Sequence, residues 1–110
     1  MSHIVNNTIL ILDCLEAQIL ENDTNCQMDV ERLGNDTLQI MYKEQTYLLN
    51  ARTSIGQVWL SSPISGPSHF FCENKVWRNA AGKELYELLS GELAQILGIN
   101  FKIAPKEHSV

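Results

Sequence analysis

The chain has 110 residues, of which 45% are hydrophobic and 19% charged, and its formal net charge is -5. A chain of this length forms one domain, residues 1–110, with a single core, and we expect a flexible tail from about residue 104 onward. The negative charge and the scattered Lys and Arg residues argue against nucleic-acid binding, and the lack of an apolar run of about 18 residues excludes a helix that spans a membrane.

Residues 3–22 show the period of an amphipathic helix, although the apolar block at residues 9–12 by itself would also fit a strand. Polar residues 22–25 then end the helix with turn-forming side chains. The segment has no Lys or Arg before residue 32, unlike a secretory or mitochondrial presequence, so we expect it to be part of the fold. At about 100° per residue, the side chains that gather on one face of this helix are Ile4, Thr8, Ile11, Leu12, Leu15 and Ile19.

From Gln27 the period of the pattern changes from helical to two. Hydrophobic and polar residues alternate through residues 28–33, 37–42 and 45–50, with turn residues at 34–36 and 43–44 between them. A further strand is predicted from Gln57, followed by two short strands at residues 69–72 and 75–78. Connections this short predict an antiparallel meander of five or six strands.

Residues 83–97 form a second predicted helix, with one apolar face and Gly98 at its C-terminal stop. Gly91 inside this helix weakens it by roughly 1 kcal/mol relative to Ala. Since each helix has a single apolar stripe, both should lie on the same face of the sheet. The predicted fold class is therefore α+β: a two-layer α/β sandwich in which two roughly parallel helices cover one face of a five- to six-stranded antiparallel sheet and the other face meets solvent.

Acidic residues gather where the first helix meets the first strand. If that strand is the sheet edge beside the helix, the carboxylates form a ridge that suits hard cations, but without His or Cys ligands a site there would be weak and exchangeable. Two alternatives stay open: a solvated face with no ligand, and charges that keep an edge strand from pairing with another chain. We call this set the acidic ridge; it comprises Asp13, Glu16, Glu21, Asp23, Asp29 and Glu31.

The segment GQVWLSSPISGPSHFF, residues 56–71, puts a tryptophan beside serines and prolines. If Val58 and Leu60 point to the helices, Trp59 and its alternating neighbours point to solvent. Proline and glycine residues predict that the chain leaves the sheet after Trp59 as a rigid, turned loop. Partial burial of Trp59 under that loop is the alternative, and plain exposure is the alternative to a ligating or titrating role for His69. A rigid loop beside an exposed aromatic resembles a protein-binding hot spot.

Motifs for catalysis are missing from the sequence. It has no glycine-flanked nucleophile elbow, no Gly-rich phosphate loop and no HExxH. Cys14, Cys26 and Cys72 lie far apart without a CxxC pair, which argues against a disulfide framework and a cysteine zinc site and favours a reducing compartment. Catalysis by this chain alone is therefore not expected.

Several segments together resemble the frataxin family. QVWLSSP at residues 57–63, preceded by Asn50 and followed by SGP at residues 65–67, is nearly identical to the family's hallmark. LDCLE at residues 12–16, DVE at 29–31 and GKELYELLSGEL at 82–93 extend the similarity over about residues 3–98. The resemblance implies a frataxin-like fold and an accessory protein of iron–sulfur cluster assembly that has no organic cofactor. Such a protein binds the cysteine desulfurase and the iron–sulfur scaffold protein, modulates them and can also deliver iron as an iron chaperone.

Site residues follow from the resemblance position by position. Iron, as Fe2+ or Fe3+, would bind weakly to Asp13, Glu21, Asp29 and Glu31, and Glu16 matches an acid of bacterial members. Many members carry a basic residue, often Arg, where this chain has His69, so docking there would be weaker or pH-sensitive. The surface that would meet the partners comprises Asn50, Gln57, Trp59, Ser61, Ser62, Pro63, Gly66 and His69.

Two other functions stay open at this point. One is iron oxidation or storage on the acidic ridge, with weak ferroxidase activity at most, and the other is a metal-free protein-binding adaptor. We expect a monomer in the absence of iron, located in a bacterial cytoplasm, or alternatively in the mitochondrial matrix as a mature form.

Overall fold

A computed structural model describes residues 3–104 of the chain. Its elements are α1 (His3–Asn22), β1 (Asp29–Leu33), β2 (Thr37–Tyr42), β3 (Gln45–Arg52), β4 (Gln57–Ser62), β5 (Gly66–Glu73), β6 (Val76–Arg78) and α2 (Leu85–Leu97), with a 3-10 turn at Thr53–Ile55. The six strands lie side by side in chain order, and each pairs antiparallel with the next. The predicted meander with two flanking helices is confirmed. Within the described residues, neither helix is long and apolar enough to cross a membrane.

The apolar stripe predicted for the first helix is buried. Thr8, Leu12, Leu15 and Ile19 are fully covered and Ile11 nearly so, while the side chain of Ile4 lies outside the described part. The period of residues 3–22 therefore decided between helix and strand correctly.

Both helices pack against one face of the sheet, and a single core lies between the two layers. In the strands, the residues that alternate with the buried ones lie on the other face, toward solvent. In β3, for example, Tyr47, Leu49 and Ala51 are buried, and their neighbours are exposed or half-buried. Successive side chains of a strand point to opposite faces, so burial of one face leaves the other to solvent. The inward residues of the sheet are Leu38, Ile40, Tyr47, Leu49, Ala51, Val58, Leu60, Ser62, Phe70 and Trp77.

The connection after Trp59 differs from the predicted loop. Strand β4 continues to Ser62 and β5 already begins at Gly66, so only residues 63–65 form the turn. The hydroxyl of Ser62 accepts hydrogen bonds from the backbone N–H groups of Ile64 (2.9 Å) and Ser65 (3.0 Å). This single oxygen satisfies two donors, and the chain reverses within three residues.

A C-terminal segment that the sequence pattern did not predict ties the two helices together. After Gly98 the chain buries Phe101 and Ile103. The N–H and C=O of Ile103 both bond to the Ser90 hydroxyl of α2 (2.9 and 3.0 Å), and those of Ala104 bond to the Gln18 amide of α1. The expected flexible tail therefore does not include Ala104, and residues 105–110 lie outside the described part.

A buried polar network joins α2 to the sheet. The Tyr47 hydroxyl of β3 donates to Oε1 of Glu92 (2.9 Å), and the Ser62 hydroxyl of β4 donates to the same oxygen (2.5 Å). Burial raises the pKa of Tyr47 well above its ordinary value of 10.0, and the Glu92 carboxylate raises it further. Burial also raises the pKa of Tyr86, with Cys14 and Glu84 adding to the effect.

Gly91→Ala should raise the free energy of unfolding by about 1 kcal/mol, because alanine loses less backbone entropy in a helix. Gly91 is exposed in α2, and a Cβ there would meet no atom within 4 Å. Gly98→Ala is the matched control: its Cβ would also meet open space, but its φ of +70° in the C-cap strains alanine. Denaturant unfolding measures the free energy of unfolding of both variants. A loss of stability in Gly91→Ala would contradict the position of Gly91 inside α2 with open space around it.

The free energy of unfolding should fall as pH rises above 10.0, the ordinary pKa of Tyr47 and Tyr86. The folded state keeps both protons while the unfolded state releases them, so the raised folded pKa values stabilise the protein fully below this pH and less above it. Each tyrosine contributes a slope of about 1.4 kcal/mol per pH unit. In Tyr47→Phe one of the two contributions disappears, and denaturant unfolding at several alkaline pH values should show a shallower fall. An unchanged slope would contradict the burial of the Tyr47 hydroxyl.

Candidate functional site

The solvent face of the sheet brings predicted site residues from separate strands into one row. Register pairs Asn50 of β3 with Trp59 of β4, and Trp59 with His69 of β5. On either side of this row, Gln57 pairs with Arg52 and Ser61 pairs with Leu48. Directly opposite residues share a face of the sheet, so these side chains form one patch. We call it the Trp59 surface; it comprises Leu48, Asn50, Arg52, Gln57, Trp59, Ser61 and His69.

Trp59 is held in place by its neighbours rather than by a loop. The His69 ring stacks on the indole with 4.0 Å between ring centroids and an angle of 6° between the planes. The Arg52 guanidinium carbon lies 4.1 Å from the indole centroid, and two groups this close to one centroid have room only on opposite faces of the ring. The indole Nε1 donates to Oε1 of Gln57 (2.8 Å). Trp59 is therefore half-buried in a sandwich of two side chains, and its orientation is set before any partner arrives.

Asn50 supports the row from the other side. Its Nδ2 donates to the Thr37 hydroxyl (3.0 Å) and to the backbone oxygen of Asp36 (3.2 Å). The amide thus joins β3 to the turn that precedes β2, next to Trp59. A shallow depression in the sheet face lies here, lined by Leu48, Asn50, Trp59, Ser61, Pro67 and His69.

One of the predicted partner-binding residues, Ser62, does not lie on the solvent face of the sheet. Its side chain faces inward and is 7% exposed, because alternation along β4 puts it on the same side as Val58 and Leu60. Pro63 lies exposed in the turn and Gly66 begins β5 with a φ of +81°. Between them Ile64 is 43% exposed at the tip of the turn. Ser62 shapes this turn from beneath instead of forming part of the surface.

The acidic ridge is divided rather than continuous. Arg32 of β1 binds Asp13 (2.8 Å) and Glu16 (2.7 Å), which lie one turn apart on α1, and the side chain of Arg32 is only 16% exposed. Burial lowers the pKa of this guanidinium, but hydrogen bonds and charge attraction from the two carboxylates outweigh it, so the pKa lies above its ordinary value. Asp13 and Glu16 are therefore already paired with a positively charged side chain of the protein itself.

Asp23 is a structural residue rather than a ligand candidate. It is buried, and its two carboxylate oxygens accept the backbone N–H groups of Gln27 (2.9 Å) and Met28 (2.8 Å). These bonds close the turn between α1 and β1. A capping role of this kind leaves the carboxylate oxygens inside the fold.

Three further ridge carboxylates do not contact Arg32. Asp29 and Glu31 are exposed on the solvent face of β1, the edge strand, opposite Met41 and Gln39 of β2. Glu21 is exposed near the end of α1. Over residues 3–104, no three or more His, Cys, Asp or Glu side chains converge as a metal centre. The ridge offers scattered carboxylates, not a preformed cage.

Two arginines of this site were missed by sequence reasoning. Arg32 could have been found, because alternation in an edge strand turns it to the helix side, where Asp13 and Glu16 share one helical face. Arg52 gave no signal, since the contact with Trp59 crosses from one strand to the next and depends on register. Of the three cysteines, Cys14 is half-buried, and Cys26 and Cys72 are exposed thiols.

Comparisons with known proteins match this architecture. The sequence-family model of the frataxin-like domain matches residues 3–99 of this chain. The mitochondrial frataxin-like protein of Leishmania donovani is 30% identical over an alignment of 102 residues, which covers 84% of this chain and 54% of that protein. The chain thus spans about half the length of this relative.

Solved structures share the fold. Frataxin from Psychromonas ingrahamii, studied as a model of stability modulation within the CyaY protein family, has a TM-score of 0.73 at 19% identity and covers 93% of this chain and 97% of its own. Trimeric frataxin from the yeast Saccharomyces cerevisiae, complexed with ferrous iron, has a TM-score of 0.66 at 28% identity and covers 89% and 88%. With the two-layer fold described above and a family match over nearly its whole length, this chain belongs to the frataxin family.

Proposed function

We propose that the protein is an accessory, non-catalytic component of iron–sulfur cluster assembly that docks on the complex of cysteine desulfurase and scaffold protein and modulates it. The observation that carries this proposal is Trp59, fixed upright on the solvent face between Arg52 and His69. A large aromatic side chain with a preset orientation loses little conformational freedom on binding, which is typical of hot spots. Membership of the frataxin family supports the identity of the partners.

Exposed apolar side chains extend the docking surface beyond Trp59. Leu48 is 38% exposed and Phe71 is 39% exposed on the same face. These residues contribute little to the core, because the inward residues of β3, β4 and β5 are different ones. Apolar area that the fold leaves in water on one rigid face is the kind of surface that a protein partner covers.

Iron is proposed as a weakly bound cargo of the acidic ridge. The ferrous complex of yeast frataxin supports iron binding by a related protein. In this chain Asp29 and Glu31 make no ion pair with any residue between 3 and 104 and offer oxygens on one edge. Carboxylates without supporting His or Cys ligands favour weak, exchangeable binding. Binding at Asp13 and Glu16 requires that the cation displace Arg32.

The alternative of iron oxidation has less support than docking. It requires several carboxylates around the iron, and Arg32 is already paired with Asp13 and Glu16 of α1. A metal-free adaptor would use the same Trp59 surface, and iron titration separates it from the proposed function. The relatives include a mitochondrial protein, so we propose action in the mitochondrial matrix or in a bacterial cytoplasm, as a monomer without iron.

Trp59→Ala should weaken binding to the desulfurase–scaffold complex of the same organism by about thirtyfold or more, the loss typical of a hot-spot aromatic. The fold should persist, since Trp59 lies outside the buried core. Leu10→Ala is the control, because Leu10 is 54% exposed on α1, in the helix layer. The Leu10→Ala variant should bind the complex with the affinity of the wild type. Titration calorimetry measures both, and circular dichroism checks the fold. Unchanged affinity in Trp59→Ala would remove the docking assignment.

Arg32→Gln should increase iron affinity several-fold, because Asp13 and Glu16 lose their internal counter-ion and become available to the metal. The amide keeps some hydrogen bonding but no charge. Arg78→Gln removes the same charge from β6, the sheet edge opposite β1, and serves as the control. Fe2+ titration under anaerobic conditions, followed by amide shifts of α1, measures both. Equal iron affinities in the two variants would show that Arg32 does not compete with iron.

A further inference from the structure

Arg52 differs from the other arginines of the chain in what its guanidinium contacts. Arg32 pairs with Asp13 and Glu16, and Arg78 donates to the backbone oxygen of Gly82 (3.4 Å). Arg52 lies over Trp59, and among residues 3–104 no hydrogen bond or ion pair engages it. A charged group with five N–H donors is therefore held in position on the docking surface with those donors unused.

Stacking on an aromatic ring prepares a guanidinium for anion binding. The ring covers one flat face of the group, while the N–H donors lie in its plane and stay open at the edges. The contact also restrains a long side chain, so less conformational freedom remains to be lost when the donors are used. The fork of donors matches the two oxygens of a carboxylate, which it binds bidentately.

The surroundings of Arg52 favour a carboxylate on a protein over a nucleic-acid phosphate. The chain carries a net charge of -5, and Asp29 and Glu31 lie on the same face of the sheet at its β1 edge, which disfavours a polyanion. Exposed Leu48 and Phe71 flank the Arg52–Trp59 pair with apolar surface. A protein segment with an acidic side chain next to an apolar one fits this combination.

We propose that Arg52 is the specificity-determining residue of the Trp59 surface and that it receives a carboxylate side chain of the partner in a bidentate pair, while an adjacent apolar side chain of the partner fills the depression beside Trp59. The proposal rests on the docking function proposed above and names the chemistry that the partner presents. Trp59 supplies the apolar contact, and Arg52 decides which segment is accepted.

The test measures affinity for the desulfurase–scaffold complex of the same organism with three variants of the full chain. Arg52→Gln keeps a planar polar end but no charge, and Arg52→Lys keeps the charge but neither the stack nor the fork. Lys102→Gln removes one positive charge from the exposed side of the C-terminal segment, which is bonded to the two helices in the other layer. Arg52→Gln should raise Kd by about ten- to a hundredfold, the effect of a charge-assisted hydrogen-bonded pair. Arg52→Lys should recover only part of this lost affinity. The difference in Kd between Arg52→Gln and the wild type should shrink as the salt concentration rises. Lys102→Gln should stay within about threefold of wild type, as a surface charge away from the docking face does.

Equal losses in Arg52→Gln and Lys102→Gln would overturn the proposal, because they would reduce the effect to net charge. Full recovery in Arg52→Lys would overturn the stacked, bidentate geometry. If Trp59→Ala weakens binding and Arg52→Gln does not, the docking function stands, but the proposed pairing of Arg52 with a carboxylate of the partner is wrong. If neither variant changes the affinity, or the wild type does not bind, the docking function fails together with this inference.

Discussion

Packing of α1 and α2 against the same face of the sheet is the constraint on which the rest of the molecule depends. A strand sends successive side chains to opposite faces, so once Val58 and Leu60 enter the core, Gln57, Trp59 and Ser61 must face water. Six strands in simple meander order then place Asn50, Trp59 and His69 side by side. The Trp59 surface is thus a consequence of how the core is formed, and its residues can vary in chemistry without a change of fold.

Two arginines illustrate how an internal contact decides what a charged surface can do. Arg32 is turned toward α1 and occupies carboxylates that could otherwise hold a metal. Arg52 is turned to solvent and finds only the face of an indole, which orders it without using its donors. The first contact pairs two carboxylates with a guanidinium, and the second leaves a guanidinium exposed with its donors unused. In a chain with few basic residues, the position of each one carries weight.

The turn at residues 63–65, which joins β4 to β5, is held by a polar network from the helix layer. Glu92 of α2 accepts from Ser62, and Ser62 in turn holds the N–H groups of Ile64 and Ser65. Tyr47 shares the same carboxylate oxygen. A residue of α2 therefore restrains the turn that joins β4 to β5. Together with the C-terminal segment across Gln18 and Ser90, this network gives the two layers specific polar contacts in addition to apolar packing.

Local pattern by itself determined the element types, the meander and the inward stripe of α1, because helical and strand periods depend only on neighbouring residues. It also placed Trp59 on the solvent face. Tertiary structure decided the rest. Strand register brought Arg52 and His69 onto opposite faces of Trp59, the edge position of β1 delivered Arg32 to Asp13 and Glu16, and burial made Asp23 and Ser62 internal. Each of these contacts joins residues from different elements, and a local pattern carries no information about which partner lies across a strand or a layer.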